Sequence, residues 1–270
     1  MPTILLVGGG KMGGALLGGW LDRGMAPGEV CVVEPNIQAC QDFARLGVHA
    51  ASDPDSLPSG SIPEVVILAV KPQVMDTVLP PYRSLVGPAT VFLSIAAGKT
   101  LAYFQNILGS EAAIVRAMPN TPAAARRGVS VLCANSRVDE RRKAICADLL
   151  SAVGEVSWIS DETLMDAVTA VSGSGPAYVF LLAETLAQAG IEAGLPEALA
   201  HQLARATVSG SGELLRQSSD SPAQLRQNVT SPGGTTAEAL HVLMGPDGLQ
   251  SLMSRAIAAA ARRSRELAQP

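Results

Sequence analysis

The chain has 270 residues, a formal net charge of −4 and an apolar content of 47%, drawn mostly from Ala, Val and Leu. That length buries a sizeable core in one large domain or two smaller ones, and the lack of a basic field argues against nucleic acid or an anionic membrane surface as the main partner. No apolar run reaches membrane-spanning length, the opening MPTILLVGGG lacks a charged leader and a cleavage site, and Cys31, Cys40, Cys133 and Cys146 show neither CxxC nor CxxH spacing. The expectation is therefore a cytoplasmic protein that handles small molecules, without a metal centre or a disulfide framework.

The first predicted element is a strand at 3–7, which feeds Gly8, Gly9, Gly10, Lys11, Met12, Gly13 and Gly14 before an apolar helix at 15–21. This is G-x-G-x-x-G between a strand and a helix. Gly8 permits the tight turn, Gly10 lets backbone approach a pyrophosphate, and Gly13 lets the helix pack closely on the strand; Lys11 and Met12 fall in the same contact region. A second strand at 30–33 ends in Glu34, about 20 residues beyond the last glycine, where a carboxylate accepts hydrogen bonds from ribose hydroxyls.

A helix at 36–46, a short strand at Val48 and a wholly apolar strand at 65–70 follow. Continuous Val, Ile and Leu means burial on both faces, as in parallel sheets covered by helices. Ala69 and Val70 lead into Lys71, Pro72 and Gln73 at the C-terminal end of a strand, the side on which open α/β sheets bind ligands. The strand at 90–94 exits through Ile95, Ala96, Ala97 and Gly98, small enough to let a flat ring reach the backbone. The strand at 113–117 ends in Met118, Pro119, Asn120, Thr121 and Pro122, where two prolines fix an extended turn. Strands at 129–133 and 155–159 with a helix at 138–152 complete the sheet, these later strands running antiparallel because their connections are short. The first domain is thus an α/β, Rossmann-type dinucleotide-binding domain over 1–160.

From Asp161 onward apolar residues fall at helical spacing, beginning with Leu164, Met165, Val168 and Val171, so 161–270 reads as an all-α domain. Ser172, Gly173, Ser174, Gly175 and Pro176 interrupt its first helix, and Pro176 suits the first turn of the next. A nearly all-apolar helix at 177–193 is closed by Gly194, with Pro196 opening another. A helix apolar all round must be buried, and a half of about 110 residues has little interior of its own, which points to a homodimer through the C-terminal helices and leaves a higher oligomer of dimers open. Glu184 inside that helix is a candidate acid, with a paired or wet carboxylate at that interface as the preferred alternative. His201 and His241, the histidines of this half, form no ligand spacing with another metal-binding side chain and read as surface or helix-packing residues; His49 lies in the first domain.

The stretch NVTSPGGTTAEAL at 228–240 is a hydroxyl-rich turn running straight into a helix. Pro232 stops regular structure, Gly233 and Gly234 allow close approach or positive φ, and Thr235 or Thr236 is placed to cap. Free amides and hydroxyls then face one point. A carboxylate there meets N–H donors and the positive end of the helix dipole, with no obligatory Arg or Lys; an ordinary capped helix start is the alternative.

VTSPGGTT before a helix resembles the C-terminal signature of pyrroline-5-carboxylate reductase, and SGSGPAY at 172–178, AVKP, SIAAG and MPNTP extend the resemblance nearly end to end. Two positions depart from it: Met244, where an acidic or amide residue closes the signature, and Lys11, where Asn or Gln is usual. The resemblance implies hydride transfer from NADPH or NADH to the ring imine of 1-pyrroline-5-carboxylate, giving L-proline. It implies that Ala69, Val70, Lys71, Pro72, Ala96, Ala97 and Asn120 line the nicotinamide side of the cofactor, with Asn228 a further cofactor contact. It also implies that Ser174, Ser231, Gly233, Gly234, Thr235 and Thr236 hold the substrate, Thr236 closest to the ring nitrogen as the catalytic hydroxyl.

A dinucleotide domain joined to a helical one also occurs in 3-hydroxyacid and 6-phosphogluconate dehydrogenases, so fold alone does not choose. Ketone reduction calls for a proton donor such as Lys or His, and the lysines, Lys11, Lys71, Lys99 and Lys143, all fall in the first half. A hydroxyacid-type reductase and a cofactor-binding protein without turnover stay as alternatives. Glu34 repels a 2′-phosphate, and the first arginine after it is Arg45, so the residues themselves favour NADH.

Overall fold

The computed structural model describes residues 3–56 and 62–268. Its first part alternates strand and helix: β1 (Ile4–Val7), α1 (Lys11–Asp22), β2 (Val30–Val33), α2 (Ile37–Arg45), β3 (His49–Ala51), β4 (Val65–Leu68), α3 (Met75–Val78), β5 (Val91–Ser94), α4 (Leu101–Leu108), β6 (Ala113–Met118), β7 (Gly128–Ala134), α5 (Glu140–Ser151) and β8 (Gly154–Trp158). The strands form one sheet in the order β3-β2-β1-β4-β5-β6-β7-β8. The first six are parallel, β7 is antiparallel to β6, and β8 is parallel to β7. The strand order reverses at β1, flanked by β2 and β4, and this is the position at which open sheets leave a ligand crevice.

Burial on both faces explains the unbroken apolar strands. Ile4 and Leu6 join one core with Leu16, Leu17 and Trp20 of α1 and Leu149 and Leu150 of α5, while Leu5 and Val7 join the other with Met75, Phe92, Phe104 and Leu108. The Trp20 indole N–H donates to the buried Leu149 carbonyl at 2.8 Å, which pins α1 to α5 without leaving a polar orphan.

The remaining helices are α6 (Met165–Val168), a π-helical turn at Thr169–Gly173, α7 (Gly175–Glu192), α8 (Glu197–Gln217), α9 (Pro222–Asn228), α10 (Thr235–Leu243) and α11 (Leu249–Ala268). By packing, one compact unit runs to Gly173 and is rejoined by the segment from Ala261, and the other is Ser174–Ala260. The sequence reading divides at 160/161, where strand periodicity stops. Packing carries the first unit further because Met165 and Ala170 are buried and the Ser264 hydroxyl donates to Asp166 Oδ1 at 2.6 Å.

In the second unit α7 and α8 meet along a seam of small side chains, Ala187, Gly190, Ala200 and Ala204. The large apolar side chains of α7 face outward: Phe180 is 67% exposed, Leu181 56% and Leu182 50%. Gly194, at φ +98°, ends the helix as its sequence position predicts.

Candidate active site

In the first unit, β1 delivers the chain to the glycine loop and α1 begins at once. Gly10 is the N-cap and Lys11 the first helical residue, so the helix opens four residues before the apolar pattern does. Two of the three motif glycines answer a steric demand of the fold itself, and the third leaves open room. Gly8 takes φ +98° beside the Ala69 carbonyl; a Cβ on Gly13 would lie 2.2 Å from the Gly8 carbonyl oxygen; Gly10 has open space where its Cβ would be. Gly10 and Lys11 are exposed, and the N-cap makes no side-chain hydrogen bond, so the first amides of α1 face outward as an anion-binding helix terminus does. These features fit a dinucleotide pyrophosphate.

Glu34 lies just past β2 and is half-buried. Its Oε2 accepts from the Gly9 N–H at 2.7 Å and its Oε1 from the Asn36 N–H at 2.9 Å, so the carboxylate braces the glycine loop as well as the start of α2. Each oxygen keeps a lone pair for a ribose hydroxyl. Asn36 caps α2 through the Ala39 N–H at 2.9 Å.

Past β4, Ala69 and Val70 pack under Gly8, Lys71 is exposed, and Pro72 opens a short 3-10 turn. Past β5, Ala96 is buried with its N–H on the Ser94 hydroxyl at 3.2 Å, and Ala97 is exposed. Past β6, the Asn120 side chain is already committed: Oδ1 accepts from the Val129 N–H at 2.9 Å and Nδ2 donates to the Ser172 carbonyl at 3.2 Å. The Ser172 hydroxyl is buried without a partner among the described residues.

In the second unit, α9 ends in Asn228, whose carboxamide accepts from Gln224 at 2.8 Å and donates to Asp220 at 3.5 Å. The Thr230 hydroxyl donates back to the Arg226 carbonyl at 2.6 Å, and Gly233 takes φ +67°. Gly234, not a threonine, is the N-cap of α10, and no side chain caps it. Thr235 and Thr236 therefore stand inside the first turn with their hydroxyls uncommitted to capping. Exposed Ser231 and Gly233 lie beside them, and Ser174 similarly precedes α7 without a capping bond. The expected threonine cap is absent, because Gly234 takes that position, and the first amides of α10 have no side-chain acceptor among the described residues.

Two functional candidates escaped the sequence. Arg116 on β6 is 4% exposed, and its Nη1 donates to Glu162 Oε1 at 2.9 Å. The same Glu162 oxygen accepts from the Leu101 N–H at 2.8 Å, at the start of α4. Arginine within an apolar strand is a visible signal, but its partner 46 residues away is not. Cys133 pairs with Arg116 in register; burial pushes its thiol up to about 11, Glu162 adding to the shift and Arg116 opposing it. Among the described residues no three His, Cys, Asp or Glu gather as a metal site, and no helix is long and apolar enough to cross a membrane.

Residues 162–267 match the family model described as pyrroline-5-carboxylate reductase dimerisation, and residues 3–98 the model described as NADP oxidoreductase, coenzyme F420-dependent. The chain is 43% identical to a pyrroline-5-carboxylate reductase of Synechocystis sp., over 97% of each chain. A solved pyrroline-5-carboxylate reductase from Coxiella burnetii superposes with a TM-score of 0.93 at 36% identity, covering 100% of this chain and 99% of that one. A Plasmodium falciparum pyrroline carboxylate reductase, solved with NADP bound, gives a TM-score of 0.82 at 29% identity, covering 99% and 98%.

Proposed function

The chain belongs to the pyrroline-5-carboxylate reductase family, NAD(P)H-dependent oxidoreductases of proline biosynthesis that act on a carbon–nitrogen double bond, and we propose how its residues divide that work. The glycine loop and the first turn of α1 (Gly8, Gly10, Lys11, Met12, Gly13) take the cofactor pyrophosphate, and Glu34 takes a ribose. Ala69, Val70, Lys71, Pro72, Ala96 and Ala97 line the nicotinamide. Asn120 serves that lining indirectly, because its side chain already holds neighbouring backbone, and Asn228 is a further cofactor contact.

The observation that carries the substrate reading is the N-terminus of α10, where two threonine hydroxyls and the first amides stand uncommitted beside a left-handed glycine. Ser231, Gly233, Gly234 and Thr235 hold the substrate carboxylate there, with Ser174 as a further contact, and the Thr236 hydroxyl meets the ring nitrogen. The bound nicotinamide supplies a hydride to the imine carbon. The nitrogen carries its proton before the hydride arrives, so it takes up the former π electrons as a neutral amine, and no strong acid is required of the protein. What the residues contribute is mainly orientation of the two reactants.

NADH is used at least as well as NADPH, since the Glu34 carboxylate, held by two amides just past β2, repels a 2′-phosphate. The chain forms a homo-oligomer, as the dimerisation match implies; the pairing face is α7 with Phe180, Leu181 and Leu182, and the protein works in the cytoplasm. Loss of reduced-nicotinamide absorbance tests the reaction class. It should require 1-pyrroline-5-carboxylate and be absent with 3-oxo acids; the opposite selectivity would refute the reading, and binding without turnover would leave a cofactor-binding protein.

A further inference from the structure

We infer that Glu162 is a positioning residue for the cofactor, fixing the downstream end of the loop at 95–100 through a hydrogen bond from the Leu101 N–H; the inference rests on reading Ala96 and Ala97 as part of the nicotinamide lining. Arg116 gives the first reason. It is buried at 4% exposure in a strand of otherwise apolar side chains, in register with Ser94 of β5 on one side and Cys133 of β7 on the other. An apolar residue of the same volume would fill that position at less cost, so a guanidinium there calls for a specific task. Among the described residues its ion-pair partner is Glu162, at 2.9 Å.

Glu162 is held from two further directions. Asp161 caps the short turn that carries it, accepting from the Thr163 N–H at 2.9 Å and the Thr163 hydroxyl at 2.7 Å. Glu162 Oε1 then accepts from the Leu101 N–H at 2.8 Å, an amide that α4 itself cannot satisfy. Thr100 caps the same helix through the Tyr103 N–H at 3.1 Å. The upstream end of the loop is fixed by the Ala96 N–H on the buried Ser94 hydroxyl at 3.2 Å.

Next to its downstream end the loop is also tied sideways. Lys99 Nζ lies 4.0 Å above the Tyr103 ring and 3.9 Å from Asp76 of α3, and the Tyr103 hydroxyl donates to Asp76 at 2.5 Å. Burial and that hydrogen bond hold the Tyr103 hydroxyl well above the usual tyrosine range. Exposed Ala97 is thus presented by a loop anchored at both ends, and the loop past β4 is joined to it through α3. Glu162 is the anchor that a buried charge has been spent to orient.

The test is the dissociation constant of NAD(P)H on the full-length protein, read by nicotinamide fluorescence without substrate, beside thermal midpoints. Glu162→Leu should weaken cofactor binding on the order of tenfold, the size of one well-placed hydrogen bond. Glu162→Gln, which keeps an oxygen for the Leu101 N–H, should stay within about threefold of wild type. Arg116→Met with Glu162→Leu removes the unpaired charge, so its thermal midpoint should recover while binding stays weak; it also keeps the test readable where Glu162→Leu alone does not fold. Binding that recovers together with the midpoint would reduce Glu162 to a stability role and overturn the inference, as would a Gln variant as weak as the Leu variant. Ala97→Trp separates the two levels. If it leaves the dissociation constant unchanged, the loop does not line the cofactor and both readings fall; if it weakens binding while Glu162→Leu does not, the inference falls alone.

Discussion

In the proposed role Thr236 acts through a neutral hydroxyl, so its removal should cost rate without loosening the cofactor. Thr236→Ala is expected to lower kcat ten- to a thousandfold, which corresponds to about 1.4–4 kcal/mol in the transition state, while the cofactor dissociation constant stays put. Thr236→Ser should keep much of the rate; unchanged turnover in the alanine variant would refute the role. Glu34 has a double effect that its sequence position did not disclose. Because it accepts from both the Gly9 and Asn36 amides, Glu34→Ser should weaken both cofactors by loosening the glycine loop, and shift the kcat/KM ratio toward NADPH by roughly 1 kcal/mol through lost repulsion. A tenfold NADPH preference in the unaltered protein would defeat the NADH reading. Spacing alone was enough to single out Gly8 and Gly13, which each answer a local steric demand; it singled out Gly10 and Glu34 too, for a pyrophosphate and a ribose rather than for the backbone. The Ser172 partner of Asn120, and the whole Arg116–Glu162–Leu101 node, depend on tertiary contacts that no spacing encodes, whereas the Gln224 partner of Asn228 stands at helical i,i+4 spacing.

The unbroken apolar runs at β1, β2, β4 and β5 were readable because burial on both faces leaves no polar position to blur them. Helix starts were less so. Lys11 and the glycines carry no apolar period, yet they form the first turn of α1, and Thr235 opens α10 where a threonine cap is the expected pattern. Short connection predicts the reversal at β7 correctly; β8 shares that direction for a different reason, a crossover through α5 that makes it parallel to β7. The elements also shelter their thiols: burial pushes Cys31 on β2 up to about 11 and Cys146 on α5 up to about 12, from an ordinary 9.0. The folded state favours the neutral thiol, so this contribution is complete below pH 9.0 and is lost as pH rises toward 11 and 12. Urea midpoints should fall across that alkaline window, less steeply in Cys146→Ala, and an identical slope in that variant would contradict the assignment.

At the scale of the molecule, the second unit buries Ala187, Ala200 and Ala204 among its described residues and leaves Phe180, Leu181 and Leu182 outward. A nearly all-apolar helix was legible from sequence, and so was its need for a partner surface; which face pairs was not, because apolar side chains stand on most of its circumference. Phe180→Asp should dissociate the oligomer or unfold it, whereas sedimentation of the unaltered protein as a stable monomer would contradict the pairing face. The identity of the reaction rests on a hydride passing to a ring imine. Reduced cofactor carrying deuterium at the transferable nicotinamide position, mixed with purified protein and 1-pyrroline-5-carboxylate, tests that most directly by mass spectrometry and NMR of the product. L-Proline bearing one deuterium on the ring carbon beside nitrogen and away from the carboxylate is the expected result; no proline, or proline without deuterium there, would contradict it.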